Sequence, residues 1–322
     1  MSLKIDDYLN NISRAAIAGH LNPDGDCVGS CCGLYSYIKD NYPDIKVDLY
    51  LEEFKTVFQY LKGTESAKRN YSGETFDRVF LLDVSSVDRI GVSEDLLRAG
   101  KHTVCIDHHI SNSGFADVNI IEPDASSASE VLYTLLDPER VSRDTAEAIY
   151  TGIVHDSGVF QYSSTGKRTM QIAGELMEKG IPFTDIVQNS FFVRTFIEAR
   201  ILGCVLYKMR SLYGGKCVYA YITQEDLDTC GADKTGLDGI SAQMKLTYGA
   251  EIAVFIYPSD AGTCKVSMRS STTADVSRIA QMFRGGGHVH AAGCTLPVLP
   301  ENAEEIIMPA VEEELRRNGF LS

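Results

Sequence analysis

Long apolar runs are absent from this chain. None approaches the roughly 20 residues that span a bilayer, which excludes a helical membrane protein. The opening residues, Met1-Ser2-Leu3-Lys4-Ile5-Asp6-Asp7, lack the basic-then-apolar order of a secretory signal, so the expected location is cytoplasmic. Cysteine is present without a pattern: nine residues, at 27, 31, 32, 105, 204, 217, 230, 264 and 294, form no C-x-x-C pair. The odd number and scattered spacing exclude a disulfide framework and a zinc-thiolate site. Cys27, Cys31 and Cys32 sit close together on an expected helix and read as small packed side chains. A basic stripe is also missing. The net charge is −14, from 30 Lys and Arg against 44 Asp and Glu. Proteins that grip long nucleic acids neutralise many phosphates, so that mode of binding is not expected. A short ligand held by a few local cations remains allowed. There is neither an internal repeat nor a low-complexity segment.

What is present is an alternation of strand and helix signals over 322 residues, a length that suits two domains. Apolar runs at Arg14–His20, Ile45–Leu51, Arg78–Asp83 and His102–Asp107 read as strands. Cys27–Lys39, Ala128–Leu136, Asp144–Val154 and Lys167–Glu178 read as helices. This order predicts an α/β fold with a parallel sheet covered on both faces. Pro182–Tyr213 reads as largely helical and connects to a second unit. There, Lys216–Ile222, Glu251–Tyr257, Thr263–Met268 and Gly293–Leu296 are expected strands, and Leu237–Leu246, Asp275–Phe283 and Glu301–Arg317 expected helices. The expected division is 1–185 for a catalytic domain, 186–213 for a connector, and 214–322 for a smaller mixed α/β domain, with the active site in the cleft between the domains.

Three of the apolar runs end in His20, Asp83 and Asp107, and ligands of open α/β sheets bind beyond the carboxyl ends of strands. His20-Leu21-Asn22-Pro23-Asp24-Gly25-Asp26 reads as a turn carrying two carboxylates that can face different ions. Asp83 alone could simply cap a helix. The triplet Asp107-His108-His109 directly after an apolar strand is hard to explain by packing. Asp156 lies near the end of a helix, where a carboxylate opposes the helix dipole unless partnered. Convergence of Asp24, Asp26, Asp83 and Asp156 would crowd four negative charges, which two divalent cations would balance. Nitrogen and oxygen donors without thiolate suit manganese, with magnesium, cobalt or iron as substitutes.

These elements, in this order, resemble the DHH phosphoesterase superfamily, and Gly285-Gly286-Gly287-His288-Val289-His290-Ala291-Ala292-Gly293 is similar to the glycine-rich signature of the DHH-associated C-terminal domain. The resemblance covers positions 20 to 293, and within the superfamily it is greatest to the bacterial nanoRNase/pAp phosphatase group. It implies that His20 and Asp24 hold one metal ion, that Asp26, His108 and Asp156 hold a second, and that Asp83 bridges them. It further implies that Asp107 orients the site and that His109 faces the substrate phosphate, giving His109, Asp83 and Asp107 as the catalytic set. Arg269, Ser270, Gly286, Gly287 and His288 become substrate-phosphate contacts, while His290 reads as structural. Arg284 stands where relatives often have a fourth glycine and adds a cation of open role.

The implied activity is hydrolysis of short oligoribonucleotides, of the 3′-phosphate of pAp, or of both. A hydroxide bridging two Mn2+ ions would attack phosphorus in line. The expected partners are short RNA or a mononucleotide, with no long nucleic acid and no membrane, and a homodimer is allowed. Alternatives are a linear dinucleotide (pApA-type) phosphodiesterase, a RecJ-like exonuclease, an inorganic pyrophosphatase or polyphosphatase, and a non-enzymatic nucleotide-binding regulator.

Overall fold

A computed structural model describes residues 3–322 apart from Asp238 and Ala261. Met1 and Ser2 of the N-terminal reading, and Asp238 of the helix expected over Leu237–Leu246, lie outside the described residues. The chain divides into two compact units, Met1–Val193 and Arg194–Ser322. The division falls inside the segment read as a connector. Residues before it form the short Phe183–Ile186 helix and a π-helical turn, Val187–Phe192. After it, the Phe196–Lys208 helix buries Ile201 and Val205 in the second unit's core. No helix among the described residues is long and apolar enough to cross a membrane.

The first unit holds five strands: β1 (Arg14–Ala18), β2 (Lys46–Tyr50), β3 (Phe76–Leu82), β4 (Gly100–Asp107) and β5 (Val118–Ile121). They form one parallel sheet in the order β2-β1-β3-β4-β5. Buried residues run almost without a break along β1, β3 and β4, as expected of strands covered on both faces. One face packs on the Gly25–Asn41 helix, which buries Val28, Leu34, Tyr37 and Ile38. Each such side chain contributes about 1.5–3 kcal/mol of hydrophobic stabilisation. That helix crosses the Arg143–Asp156 helix at backbone contact. A Cβ added at Gly29 would stand 2.7 Å from the Ala148 carbonyl oxygen and the Gly152 nitrogen. Glycine is therefore required there by proximity.

The second unit has a six-stranded mixed sheet: β6 (Arg210–Leu212), β7 (Cys217–Tyr221), β8 (Ile252–Pro258), β9 (Cys264–Ser270), β10 (Gly286–His288) and β11 (Ala291–Leu296). Its order is β10-β11-β9-β8-β7-β6, with β7 and β8 parallel and every other pair antiparallel. One face buries Val266, Met268, Ile279 and Val311 against the Val276–Met282 and Glu304–Arg317 helices. The opposite face is covered along β7 and β8, where Val218, Ala253 and Phe255 pack with Ile201 and Met244. The nine cysteines are all free, and eight are buried, as their apolar surroundings imply.

Candidate active site

Strands β1, β3 and β4 lie side by side, and the connections leave in opposite directions on either side of β1, placing a crevice at their carboxyl ends. His20 follows β1, Asp83 follows β3 and Asp107 ends β4. The His20 turn is pinned by hydrogen bonds from the Leu21 and Gly91 backbone nitrogens to Arg89 and Gly19. The His20 Nδ1 lies 2.8 Å from the Leu21 carbonyl oxygen, so Nδ1 carries the proton. Its Nε2 lies 3.4 Å from Asp83 and 3.6 Å from Asp24. With Nδ1 protonated, a neutral ring presents an Nε2 lone pair to two carboxylates, an arrangement that needs a shared cation or a second proton.

Asp24 and Asp26 are not in a free turn, which corrects the sequence expectation. The helix begins at Gly25, with Asp24 as its N-cap accepting from the Asp26 and Cys27 nitrogens. The physical reason is capping: a carboxylate at this position satisfies backbone donors that have no intrahelical partner. Asp26 is buried in the first turn, and its carboxylate accepts from the Ala128 and Ser129 nitrogens at 2.6 and 3.0 Å. It thus sits on the N-terminus of the Ala128–Leu135 helix, where negative charge is favoured.

Asp83 is the centre of the cluster. Its backbone is left-handed, φ 58°, a conformation that costs a non-glycine residue about 1–2 kcal/mol. The turn drives the carboxylate inward, where it is 3% exposed. One oxygen faces His20; the other, Oδ1, lies 3.7 Å from His108 and 3.6 Å from His109. Oδ1 is buried and accepts no hydrogen bond, an unusual and costly state for a carboxylate oxygen. His108 Nε2 also lies 3.2 Å from Asp156, the last residue of the Arg143–Asp156 helix. Asp26, His108 and Asp156 therefore form one potential donor group, Asp83 with His20 and Cys27 a second, and Asp83 with His108 and His109 a third.

The electrostatics reflect crowding. Burial, then the Asp26 charge, push Asp83 well above the usual carboxylate range. Burial followed by Asp26 and Asp83 push Asp156 up to about 9. Burial also raises Asp26. Carboxylates this crowded ionise together only with added positive charge, so the donor set fits divalent cations.

Asp107 differs, because its oxygens are already taken. Oδ1 accepts from the His108 nitrogen and from His109 Nδ1, both at 2.8 Å, and Oδ2 accepts from Asn112 Nδ2 at 2.7 Å. Burial opposes its ionisation, but the His109 and Asn112 bonds hold it below the ordinary range. His109 is raised, first by the Asp107 bond, with burial acting against it. Asn112, which the sequence reading passed over, fixes this arrangement by also donating to the Val84 carbonyl. Its position five residues after Asp107 was the available signal. His155, adjacent to Asp156, turns away to Ser190 at 2.9 Å between the Phe58 and Phe191 rings.

In the second unit, His288 pairs with Ala291 and Ala291 with Arg269, so His288 and Arg269 share one cross-strand row on one face of the sheet. Directly paired residues project to the same side. Gly286 pairs with Gly293, and Ser267 follows in that second row. Gly287 has φ 137°, and a Cβ there would meet the Ala291 carbonyl oxygen at 2.4 Å, so the strand needs glycine. Arg284 is left-handed, φ 58°, at the position before Gly285. Ser270, expected to contact phosphate, is instead buried and bonds His290 Nδ1 at 2.9 Å and the Val289 carbonyl. Alternation along β9 sends Ser270 to the face opposite Arg269, so the two side chains do not share a face.

A parallel α/β unit with a buried His/Asp cluster at its strand ends, followed by a mixed-sheet unit with a glycine-histidine hairpin, defines a metal-dependent enzyme of two domains. Residues 14–153 match the DHH family, N-terminal domain, and residues 214–316 match the DHHA1 domain. The chain belongs to the DHH phosphoesterases. It is 28% identical over 312 residues to the bifunctional oligoribonuclease and PAP phosphatase NrnA of Thermus thermophilus, covering 95% of this chain and 91% of that protein. It is 26% identical to the cyclic-di-AMP phosphodiesterase GdpP of Geobacillus thermodenitrificans, covering 93% of this chain and 47% of that protein. A crystal structure of an exopolyphosphatase-related protein from Bacteroides fragilis superposes with TM-score 0.88 at 25% identity, covering 96% and 94% of the two chains.

Proposed function

We propose that this chain hydrolyses phosphate esters of short nucleotides, namely oligoribonucleotides of a few residues and the 3′-phosphate of pAp, with two manganese ions. The observation that carries this reading is Asp83, whose buried Oδ1 lacks a hydrogen-bond donor while its two oxygens face separate donor groups. His20 and Asp24 would hold one ion and Asp26, His108 and Asp156 the other, with Asp83 shared between the two groups. When bound, such ions supply Lewis acidity and activate water at neutral pH. Asp107 holds His109 by Nδ1 and so fixes the ring, which turns Nε2 toward a phosphoryl oxygen of the substrate. Arg269 and His288, in one row, bind a second phosphate, assisted by the backbone around Gly286 and Gly287 and by the Arg284 charge. The substrate class is supported by the resemblance to oligoribonuclease and PAP phosphatase relatives over most of both chains.

A second reading, phosphodiesterase action on dinucleotides such as pApA, draws on the likeness to a cyclic-di-AMP phosphodiesterase, of whose length this chain spans 47%. The test is one assay panel of purified protein: pAp, RNA of two to five residues and pApA, after chelation and with each metal restored. The proposal expects manganese-dependent turnover of pAp or of RNA of three to five residues to exceed that of pApA, itself a 5′-phosphorylated dinucleotide. Dominant pApA turnover would select the second reading, and no metal dependence would reject both.

A further inference from the structure

The second unit contains a cavity of about 930 Å³ whose charged lining, among the described residues, is cationic: Lys265, Arg269 and Arg284 contribute to it and no described Asp or Glu does. In a chain of net charge −14 such a surface is unusual. Its floor is the uncovered part of the sheet, where Gly286, Ala291 and Gly293 leave room above the backbone. Three successive rows cross this floor. Arg269 pairs with Ala291, Ser267 with Gly293, and Lys265 with Thr295 on one side and Tyr257 on the other. Lys265 and Arg269 are four residues apart on β9 and therefore on the same face, with Cα atoms about 13 Å apart. That distance exceeds one phosphate-to-phosphate step of a nucleic-acid chain.

We propose that Lys265 and Tyr257 form a distal subsite for single-stranded oligonucleotides, contacting a phosphate and a base beyond those held by Arg269 and His288. This inference rests on the reading that the latter two residues bind substrate phosphate. Lys265 is exposed and makes no ion pair among the described residues, so its charge is not already neutralised by a neighbour. Tyr257 lines the same cavity with its ring stacked on Phe255 at 5.2 Å, which holds it in place before a ligand arrives. A fixed aromatic beside a cation suits a base and its phosphate without reading sequence, because every base has a stacking face. A mononucleotide such as pAp is too short to engage both ends of the floor. A trinucleotide is long enough.

The subsite therefore sets preference by length. The experiment compares kcat/KM for trinucleotide RNA with kcat/KM for pAp in the wild type, Lys265→Gln, Lys265→Arg and Tyr257→Leu. The ratio is expected to fall about tenfold in Lys265→Gln, in the range lost with one charge-assisted hydrogen bond, and to be retained in Lys265→Arg. Tyr257→Leu should lower it several-fold through KM. A ratio within twofold of wild type in both Lys265→Gln and Tyr257→Leu would overturn the subsite. Absence of turnover on either substrate by the wild type would reject the parent reading alone. Equilibrium binding of a labelled trinucleotide, with chelator present to prevent cleavage, then decides the subsite: tenfold weaker binding to Lys265→Gln supports it, and equal binding overturns it.

Discussion

Asn112 locks Asp107. Its side-chain amide donates to Asp107 Oδ2 at 2.7 Å and to the Val84 carbonyl at 3.0 Å, tying the end of β4 to the residue after Asp83. Asp107 in turn orients His109 through Nδ1. Asn112→Ala leaves a buried carboxylate oxygen without its donor, a cost of about 1–3 kcal/mol. The expected result is a roughly tenfold fall in kcat, since His109 loses its fixed orientation, with manganese affinity retained because Asn112 faces no donor group. Kinetics and metal titration of the same preparation check both halves. Unchanged kcat would show that His109 is held by other means.

Asp83→Ala removes the carboxylate that faces both donor groups. The fold should survive, because the residue follows β3 and its removal takes one charge out of a crowded buried cluster. Manganese binding and activity should be lost together. Full activity of metal-free Asp83→Ala protein, measured after chelation, would sink the two-metal reading.

Gly152 faces Asp26 across a helix crossing. A Cβ there would meet Ser129 Oγ at 1.9 Å and Asp26 Oδ1 at 2.7 Å. Gly152→Ala should cost about 1–3 kcal/mol by overpacking and displace Asp26, weakening manganese binding. Gly174, inside the Lys167–Glu178 helix with nothing within 4 Å of its added Cβ, gives the opposite sign. Gly174→Ala should stabilise by up to about 1 kcal/mol through helix propensity, with activity unchanged. Denaturant melts of the two variants settle the comparison.

Glu130 supports the helix whose N-terminus holds Asp26. It accepts from Ser126 Oγ at 2.6 Å, Thr169 Oγ1 at 2.7 Å and Arg168 Nε at 2.6 Å. Burial opposes its charge, but these bonds hold its carboxyl below the ordinary value. A depressed folded pKa means that its contribution is present above the unfolded value of about 4.5 and is lost as pH falls through the folded one. Wild-type stability should therefore drop more steeply below pH 4.5 than that of Glu130→Gln, which is less stable at pH 7 but lacks this titration. Parallel slopes for the two proteins in acid denaturation would remove Glu130 from the account.

Much of this was legible in sequence where one element carries its own signal. The strand ends at Asp83 and Asp107 followed from apolar runs, and the Arg143–Asp156 helix from its periodicity. Elements defined by their neighbours were not legible. β10 is Gly-Gly-His, with no strand-forming side chain, and exists through its pairing with β11. β5 and β6, of four and three residues, are too short for a pattern and are set by the edges they extend. Ser270 illustrates the same limit: adjacency to Arg269 suggested a shared role, but strand alternation separates the two side chains. Asn112 carried no motif, because its function depends on the fold bringing it back to Asp107.

Substrate length provides the last test. The chain carries a net charge of −14, yet one cavity of the second unit gathers Lys265, Arg269 and Arg284 with no acidic residue among the described ones that line it. The floor of that cavity is a short cationic patch in a chain that is acidic on balance. A few-nucleotide RNA gains a contact for each phosphate it lays there. A longer strand must continue over a surface that is acidic on balance, where each further phosphate is repelled and releases no counterions to compensate. Catalytic efficiency should accordingly rise from mononucleotide to about three to five nucleotides and then fall sharply, because gain is local and repulsion grows with length. The measurement is kcat/KM over a series from dinucleotide to twenty-mer at two salt concentrations. Added salt screens repulsion between exposed charges, so it should partly restore the long substrates while weakening the short ones. Efficiency that stays flat or climbs to the twenty-mer would contradict a localised phosphate floor and favour an exonuclease that tracks long strands.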